Sequence, residues 1–144
     1  ELSWNTLSGV IPPELSNLES LMVLKLQGNQ LSGNIPTWLS HIPRLWILDL
    51  SNNELNGVIP IELGNLNILS SLYLHSNELS GPIPLSFLNL NELEYFHFYE
   101  TDICEPISIE FLDWKGTVEN WLGTDRICTF EDYDFHQWLS LIYK

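Results

Sequence analysis

The stretch "LQGNQLSGNIPTWL", from Leu26 to Leu39, decides the fold because the chain contains it again in altered form. Residues 50–63 read "LSNNELNGVIPIEL" and residues 74–87 read "LHSNELSGPIPLSF", each 24 positions after the previous copy. A shorter copy occupies residues 5–12. Four copies without insertion or deletion indicate a repeated structural unit, whose recurring residues in the quoted stretch are Asn29, Leu31, Gly33, Ile35 and Pro36.

Each recurring residue type has a physical reason to stand where it does. Leu24 and Leu26 are two positions apart and therefore point to one side of a short strand. The amide of Asn29 can bond backbone groups where the chain turns off the strand. Gly33 permits a backbone conformation that a side chain would block, and Pro36 stops the strand from continuing. One unit cannot bury its own leucines, whereas stacked units can, so the period predicts a solenoid.

The strands of neighbouring units should join edge to edge in a parallel sheet. The predicted strands lie near residues 23–27, 47–51, 71–75 and 95–99. The asparagines should stack from unit to unit as a structural ladder formed by Asn29, Asn53 and Asn77. The chain begins within a unit, because Leu2 occupies the position of Leu26, so we expect a fragment, a processed chain or an atypical first repeat.

The unit LxxLxLxxNxLxGxIPxxLxxLxx resembles the plant-type, 24-residue class of the leucine-rich repeat family, which is marked by its Gly-x-Ile-Pro element. The resemblance extends from Leu2 to Asp102. It implies an α/β fold, a right-handed solenoid with short parallel strands on its concave face. It also implies that partners bind to this concave face and that the chain has no catalytic activity.

The repeat pattern ends after its fourth strand, where Thr101 replaces the expected Asn and no Gly-x-Ile-Pro follows. Pro106 and Ser108 stand where a helix would begin. Four apolar residues then follow at the spacing of one helix face: Phe111, Trp114, Val118 and Trp121. A helix that covers the exposed end of the core is what a terminal cap of a solenoid requires, so we predict a helical C-terminal cap.

The two cysteines, Cys104 and Cys128, flank this predicted helix. A disulfide is the simplest interpretation, the alternative being two buried thiols, and two cysteines alone make a metal site improbable. A disulfide would place the protein outside the cytosol. Caps of this kind are similar to those that end many extracellular leucine-rich repeats, so we expect an extracellular protein, secreted or part of a cell-surface ectodomain.

These features divide the chain into leucine-rich repeats over residues 1–103, a disulfide-bonded cap over 104–128 and a tail over 129–144. The tail is predicted to form a short amphipathic helix, with Asp134 or Asp132 as its N-cap. Its apolar face would consist of Phe135, Trp138, Leu139 and Ile142. This helix either folds back on the cap or docks on a partner chain.

Composition excludes several classes of function. The chain has 144 residues and a formal net charge of −14, which opposes binding to nucleic acid and to an anionic membrane surface. No apolar run approaches the ~20 residues that a membrane-spanning helix needs. The sequence contains no phosphate-binding loop, dinucleotide-binding glycine pattern, nucleophile elbow or zinc-protease motif. We therefore predict neither an enzyme nor a cofactor or metal requirement.

The outward positions of the predicted strands are the candidate binding site, because the scaffold does not dictate them. Successive units place Lys25, Asp49, Tyr73 and His97 in one column. They place Gln27, Ser51, His75 and Tyr99 in the next column, and Val23, Ile47, Ser71 and Tyr95 in a third. Side chains of one column lie about 4.8 Å apart on adjacent strands, so we predict a cluster that we call the aromatic cluster: Tyr73, His75, Tyr95, His97 and Tyr99. Trp46, Asp49 and Glu100 lie beside it and complete the predicted site.

The aromatic cluster has three interpretations. Tyrosines offer large contact area at low entropic cost and are typical of recognition sites. Alternatively, aromatic residues are simply good strand formers, and the surface is idle. A metal site on His75 and His97 would need a third ligand such as Asp49 or Glu100, and we did not adopt it.

The sequence therefore predicts an extracellular recognition module that binds a protein, peptide or glycan partner on its concave strand face. The alternative prediction is a structural protein that self-associates through the open N-terminal edge, where Trp4 should be exposed, or through the tail. Such a homo-oligomer would leave the concave face idle.

Overall fold

In the computed structural model, which describes residues 2–133, the chain forms two parallel five-stranded sheets. The strands are, in chain order, β1 (Ser8–Gly9), β2 (Val23–Lys25), β3 (Gln30–Asn34), β4 (Ile47–Asp49), β5 (Glu54–Gly57), β6 (Ser71–Tyr73), β7 (Glu78–Pro82), β8 (Tyr95–His97), β9 (Asp102–Cys104) and β10 (Asn120–Leu122). The concave sheet has the order β10-β8-β6-β4-β2, and the other sheet, called the outer sheet here, has the order β1-β3-β5-β7-β9. The predicted solenoid of parallel strands is thus confirmed.

The strands of the concave sheet pair in a register of 24 residues. Lys25 is opposite Asp49, Asp49 is opposite Tyr73, and Tyr73 is opposite His97. The four predicted strands of this sheet, β2, β4, β6 and β8, begin at the predicted residues but end two residues earlier than predicted. Hydrogen bonds between the coils nevertheless continue beyond the strands, as from Leu74 N to His97 O at 2.8 Å, so the outward columns extend past the strand ends.

The outer sheet was not predicted. Its strands include the glycine of each repeat, and Gly33, Gly57 and Gly81 have φ angles of 79°, 76° and 79°. A Cβ atom built on Gly57 would lie 2.7 Å from Oδ1 of Asn34 in the preceding unit. The glycine therefore provides both the left-handed backbone and the space for a neighbouring side chain.

After each Ile-Pro element the chain makes one short 3₁₀ helix, with the proline as its N-cap. These helices span Pro13–Asn17, Thr37–His41, Ile61–Asn65 and Leu85–Asn89. Each of the last three buries one apolar side chain fully in the core, namely Leu39, Leu63 and Phe87. The core lies between the two sheets and these helices, where the leucines of both sheets are buried as well.

The asparagine of each repeat joins the two sheets. In Asn53, Oδ1 accepts a hydrogen bond from Leu31 N at 3.0 Å, and Nδ2 donates to Leu26 O and Leu50 O at 3.1 Å. Asn29 and Asn77 repeat this pattern one unit before and one unit after. The three side chains thus form a continuous ladder that satisfies backbone groups inside the coils.

The cap helix is shorter than the sequence predicted. Helix α1 spans Ile109–Lys115, and the hydroxyl of its N-cap, Ser108, accepts a hydrogen bond from Phe111 N at 3.1 Å. The prediction that Val118 and Trp121 continue the helix is wrong. Val118 follows in a turn, and Trp121 lies on β10, which pairs with β8. Extension of the concave sheet satisfies edge groups such as Phe98 N, which donates to Leu122 O, and this outweighs continuation of the helix.

A disulfide and a buried carboxylate hold the segments of the cap together, and Trp114 and Trp121 pack the cap against Phe87 and Phe96 of the repeats. Cys104 and Cys128 form the predicted disulfide, with their Cα atoms 4.9 Å apart. Glu105 is 3% exposed; one carboxylate oxygen accepts from Nε1 of Trp121 at 3.0 Å, and the other bonds the ammonium group of Lys115. The cap is therefore held by covalent, ionic and aromatic contacts together.

The division of the chain at residues 103/104 and 128/129 stays a prediction. Within the tail, Phe130–Asp132 forms a short 3₁₀ helix, and Asp132 accepts a hydrogen bond from Thr129 N at 2.6 Å. The predicted amphipathic helix lies outside the described residues. No helix among residues 2–133 is long and apolar enough to cross a membrane.

Candidate partner-binding site on the concave sheet

The concave sheet brings four members of the predicted aromatic cluster into ring contact. Tyr73 and His97, which are opposite each other in the register, meet edge to face with ring centroids 4.9 Å apart. One column further, His75 and Tyr99 stack at 4.4 Å with 18° between their planes. The two imidazoles are 6.1 Å apart, so the two pairs form one continuous surface.

Two predicted members lie outside this group of rings. Among the described residues, the ring contacts of the cluster include neither Tyr95 nor Trp46. Tyr95 is half-buried at the start of β8, and Trp46 is 48% exposed just before β4. Tyr95, at an outward position of β8, therefore lies at the margin of the cluster.

Two carboxylates beside the cluster are held in place by serines. Oδ1 of Asp49 accepts hydrogen bonds from the backbone N and the hydroxyl of Ser51, at 3.1 and 2.7 Å. The Glu100 carboxylate accepts from the hydroxyl of Ser76 at 2.6 Å. Ser76 and Glu100 have φ angles of 55° and 53°, in the left-handed region that is costly for residues with a side chain.

His75 is the cluster member whose surroundings most affect its charge. Its Nδ1 is buried and has no hydrogen-bond partner in the described residues. Burial lowers the pKa of His75, with a smaller lowering from His97, while the charges of Asp49 and Glu100 oppose this shift. The pKa therefore lies below its usual value of about 6.5, and the imidazole is mostly neutral at neutral pH.

The cap contributes a residue that the sequence did not suggest. Nε2 of His97 lies 2.8 Å from Oδ1 of Asn120, a distance that fits the tautomer with the proton on Nε2. Asn120 is on β10, opposite Tyr95. Sequence reasoning missed it because residues 118–121 were assigned to a helix, and no residue motif marks it.

Residues 2–133 contain no group of three or more His, Cys, Asp or Glu side chains that could hold a metal ion. The cluster presents aromatic faces, imidazole and hydroxyl groups, and two carboxylates held by serine hydroxyls.

The chain belongs to the leucine-rich repeat family. Leucine-rich repeat models match residues 1–55, 19–79 and 69–90, in agreement with the fold. No curated protein sequence matches the chain.

Solved structures with the same fold include plant receptor ectodomains. The BIR2 ectodomain from Arabidopsis thaliana is 41% identical, with a TM-score of 0.77, over 90% of this chain and 68% of the ectodomain. The plant peptide hormone receptor RGFR1, solved in complex with RGF2, is 34% identical, with a TM-score of 0.77, over 83% of this chain and 19% of its own. A plant ice-binding protein is 34% identical, with a TM-score of 0.71, over 77% of this chain and 36% of its own. This chain thus corresponds to a fraction of the RGFR1 and ice-binding chains.

Proposed function

We propose that the protein is a non-catalytic recognition module that binds a peptide or protein partner through the aromatic cluster and its two carboxylates. The observation that carries the proposal is the group of four contacting rings on the concave sheet. Tyr73 and His97 stand on paired strands, and His75 and Tyr99 stand just beyond them on coils that are still joined by backbone hydrogen bonds. Few degrees of freedom are therefore lost when a partner docks. Tyrosines in such positions are frequent centres of binding energy.

The comparisons support a peptide or protein rather than a glycan. RGFR1 is described as a peptide hormone receptor, and a further relative, BIR3, was solved as a complex with SERK2. The fold alone does not select this function, because the ice-binding protein shares it. The side chains of the concave columns must therefore decide the function.

An extracellular location is part of the same proposal. The Cys104–Cys128 disulfide supports it, since such bonds persist in oxidising compartments. Mass spectrometry of the protein isolated from its source would find this pair oxidised. Two free thiols in that material would contradict the location without affecting the binding site.

The binding proposal is tested by panning a random peptide library displayed on phage against the immobilised protein. Peptides selected on the wild type should lose binding to a variant in which Tyr73, Tyr95 and Tyr99 are replaced by Ala. The matched control carries Val58→Ala and Ile61→Ala, two apolar residues that are 57% and 59% exposed away from the cluster. The proposal fails if the triple variant remains folded and binds the selected peptides as well as the control does.

A second candidate function is self-association through the N-terminal end of the solenoid. Apolar side chains are exposed there: Trp4 is 72% exposed, and Val10, which lines a cavity of about 190 Å³, is 66% exposed. Exposed apolar patches of this kind favour contact with another protein surface. Sedimentation should then show concentration-dependent association that Val10→Ser weakens, and a strict monomer at high concentration would refute it.

A further inference from the structure

The aromatic cluster has the composition of a site for a positively charged group. We propose that the partner's anchor is the cationic side chain of a lysine or arginine in a peptide segment, held against the rings between Asp49 and Glu100. This inference rests on the proposed function and adds the chemical class of the ligand. It follows from the geometry of the rings, from the charges around them and from the backbone that positions Glu100.

The rings offer the surface that a cation prefers. Tyr99 stacks on His75 at 4.4 Å, and Tyr73 contacts His97 at 4.9 Å, so neighbouring aromatic rings line one patch. A cation within about 6 Å of an aromatic ring centroid is attracted by the electron-rich face. An arginine can also stack its planar guanidinium on such rings.

The charges beside the rings are negative at neutral pH. Asp49 approaches from β4 and Glu100 from the turn after β8, and both carboxylates act electrostatically on His75 between them. His75 itself contributes little positive charge because its imidazole is mostly neutral. The concave strands among residues 2–133 carry one lysine or arginine, Lys25, which lies opposite Asp49 on the side away from the rings, two strands from Tyr73.

The turn after β8 places the Glu100 carboxylate beside the rings. The equivalent turn position has positive φ in every copy of the repeat: Trp4, Gly28, Asn52, Ser76 and Glu100. The conformation is therefore part of the repeat, and what distinguishes the last copy is the charged side chain that it carries. The Ser76 hydroxyl fixes this carboxylate with a hydrogen bond of 2.6 Å.

The partner class follows from these features. A carboxylate, sulfate or phosphate on the partner would be repelled by Asp49 and Glu100 and by the formal net charge of −14. A neutral glycan could stack on the tyrosines and donate hydroxyl hydrogen bonds to the two carboxylates, but it carries no positive charge to balance theirs. A lysine or arginine side chain can make a cation–π contact with the rings and an ionic contact with the carboxylates at the same time.

The test uses the random peptide library of the previous section, panned at pH 7.5. Selected peptides should be enriched in lysine or arginine, and their synthetic analogues with citrulline or norleucine at that position should bind at least ~10-fold more weakly. D49N and E100Q should each weaken binding of the parent peptide by roughly 5–10-fold. E54Q is the matched control, because it removes the same charge from an exposed position on the outer sheet and should change binding less than about 2-fold.

The outcomes separate this inference from the proposed function. Peptides that depend on Tyr73 and Tyr99 but contain no basic anchor would overturn the cationic anchor and leave the concave site standing. The same holds if a neutral oligosaccharide binds in a tyrosine-dependent manner that D49N and E100Q do not affect. Peptides that bind equally to wild type and to the Tyr73/Tyr95/Tyr99 variant would overturn both proposals.

Discussion

The two sheets of the solenoid are built from the same repeats, yet they carry very different side chains. On the outer sheet the residue before each glycine is Ser8, Ser32, Asn56 or Ser80, always small and polar. On the concave sheet one outward column instead reads Lys25, Asp49, Tyr73 and His97. The outer sheet follows the repeat because its glycines must fit neighbouring side chains, whereas the outward concave positions contact no core.

This difference separates scaffold from site within one chain. Substitutions in the outer sheet or in the asparagine ladder should cost stability, whereas substitutions in the aromatic cluster should cost binding. The following predictions test that separation, from the largest expected effect to the smallest.

The largest effect is expected at the end of the outer sheet. Replacing both Cys104 and Cys128 by Ala removes a link between residues 24 positions apart, which should lower the free energy of unfolding by about 3 kcal/mol. Urea denaturation of the double variant measures this loss. An unchanged midpoint would show that the remaining contacts of the cap suffice to hold it on the repeats.

The asparagine ladder should be the next most sensitive feature. Asn53→Leu removes the bonds to Leu31 N, Leu26 O and Leu50 O, and buried backbone groups left without partners should cost about 1–3 kcal/mol. Asn56→Leu, at an exposed position of the outer sheet, is the matched control and should cost far less. Equal losses of stability in the two variants would refute the structural role of the ladder.

A glycine substitution tests why the outer sheet follows the repeat. Gly57→Ala forces a side chain to adopt a φ of 76° close to Asn34, which should destabilise the fold by about 1–2 kcal/mol. Gly116→Ala, where φ is −63°, makes the same change in an ordinary helical conformation. The expectation is contradicted if Gly57→Ala is tolerated as well as Gly116→Ala in thermal unfolding.

The sequence allowed the concave sheet to be predicted because its leucines alternate with outward residues in every unit. The outer sheet escaped prediction, since strands such as Gln30–Asn34 are mostly polar and contain glycine. The end of α1 was also missed. Phe111, Trp114 and Trp121 do pack together, with centroids 5.6–6.0 Å apart, but Trp121 reaches the group from a strand.

The candidate site was predictable in part for the same reason. Column positions follow from the period, so the placement of Tyr73, His75, His97 and Tyr99 on one face could be read directly. Tyr95 lies at the margin of the ring contacts because its partners in the register are Ser71 and Asn120, which have no rings. Neither the serine contacts of the carboxylates nor the position of Asn120 is encoded in the repeat pattern, because they depend on turns and on the cap.

Glu100→Gly should raise the stability of the fold and weaken the binding of a partner. Glycine adopts the φ of 53° without strain, so the variant should be more stable by up to about 1 kcal/mol, despite the loss of the Ser76 hydrogen bond. Binding of a selected peptide should nevertheless weaken. Thermal unfolding and peptide titration on the same sample check both changes, and a variant that is destabilised while binding normally would contradict the functional reading of Glu100.

The smallest effect should come from the titration of His75. Because burial lowers its pKa in the folded protein, the unfolded chain binds more protons than the folded one just below the ordinary histidine pKa of about 6.5. The contribution of His75 to stability is therefore complete above about pH 6.5 and declines as the pH falls through the window down to the lowered pKa. Urea midpoints at several values between pH 5 and 7.5 should reveal this decline. His75→Gln should remove part of it, and His41→Gln is the matched variant at an exposed histidine.

The same protonation of His75 places a positive charge beside Tyr99, so a lysine-anchored or arginine-anchored peptide should also bind more weakly at the acidic end of the series. If His75→Gln changes neither the stability profile nor the pH dependence of peptide binding, the imidazole is not buried against its neighbours as the concave sheet places it.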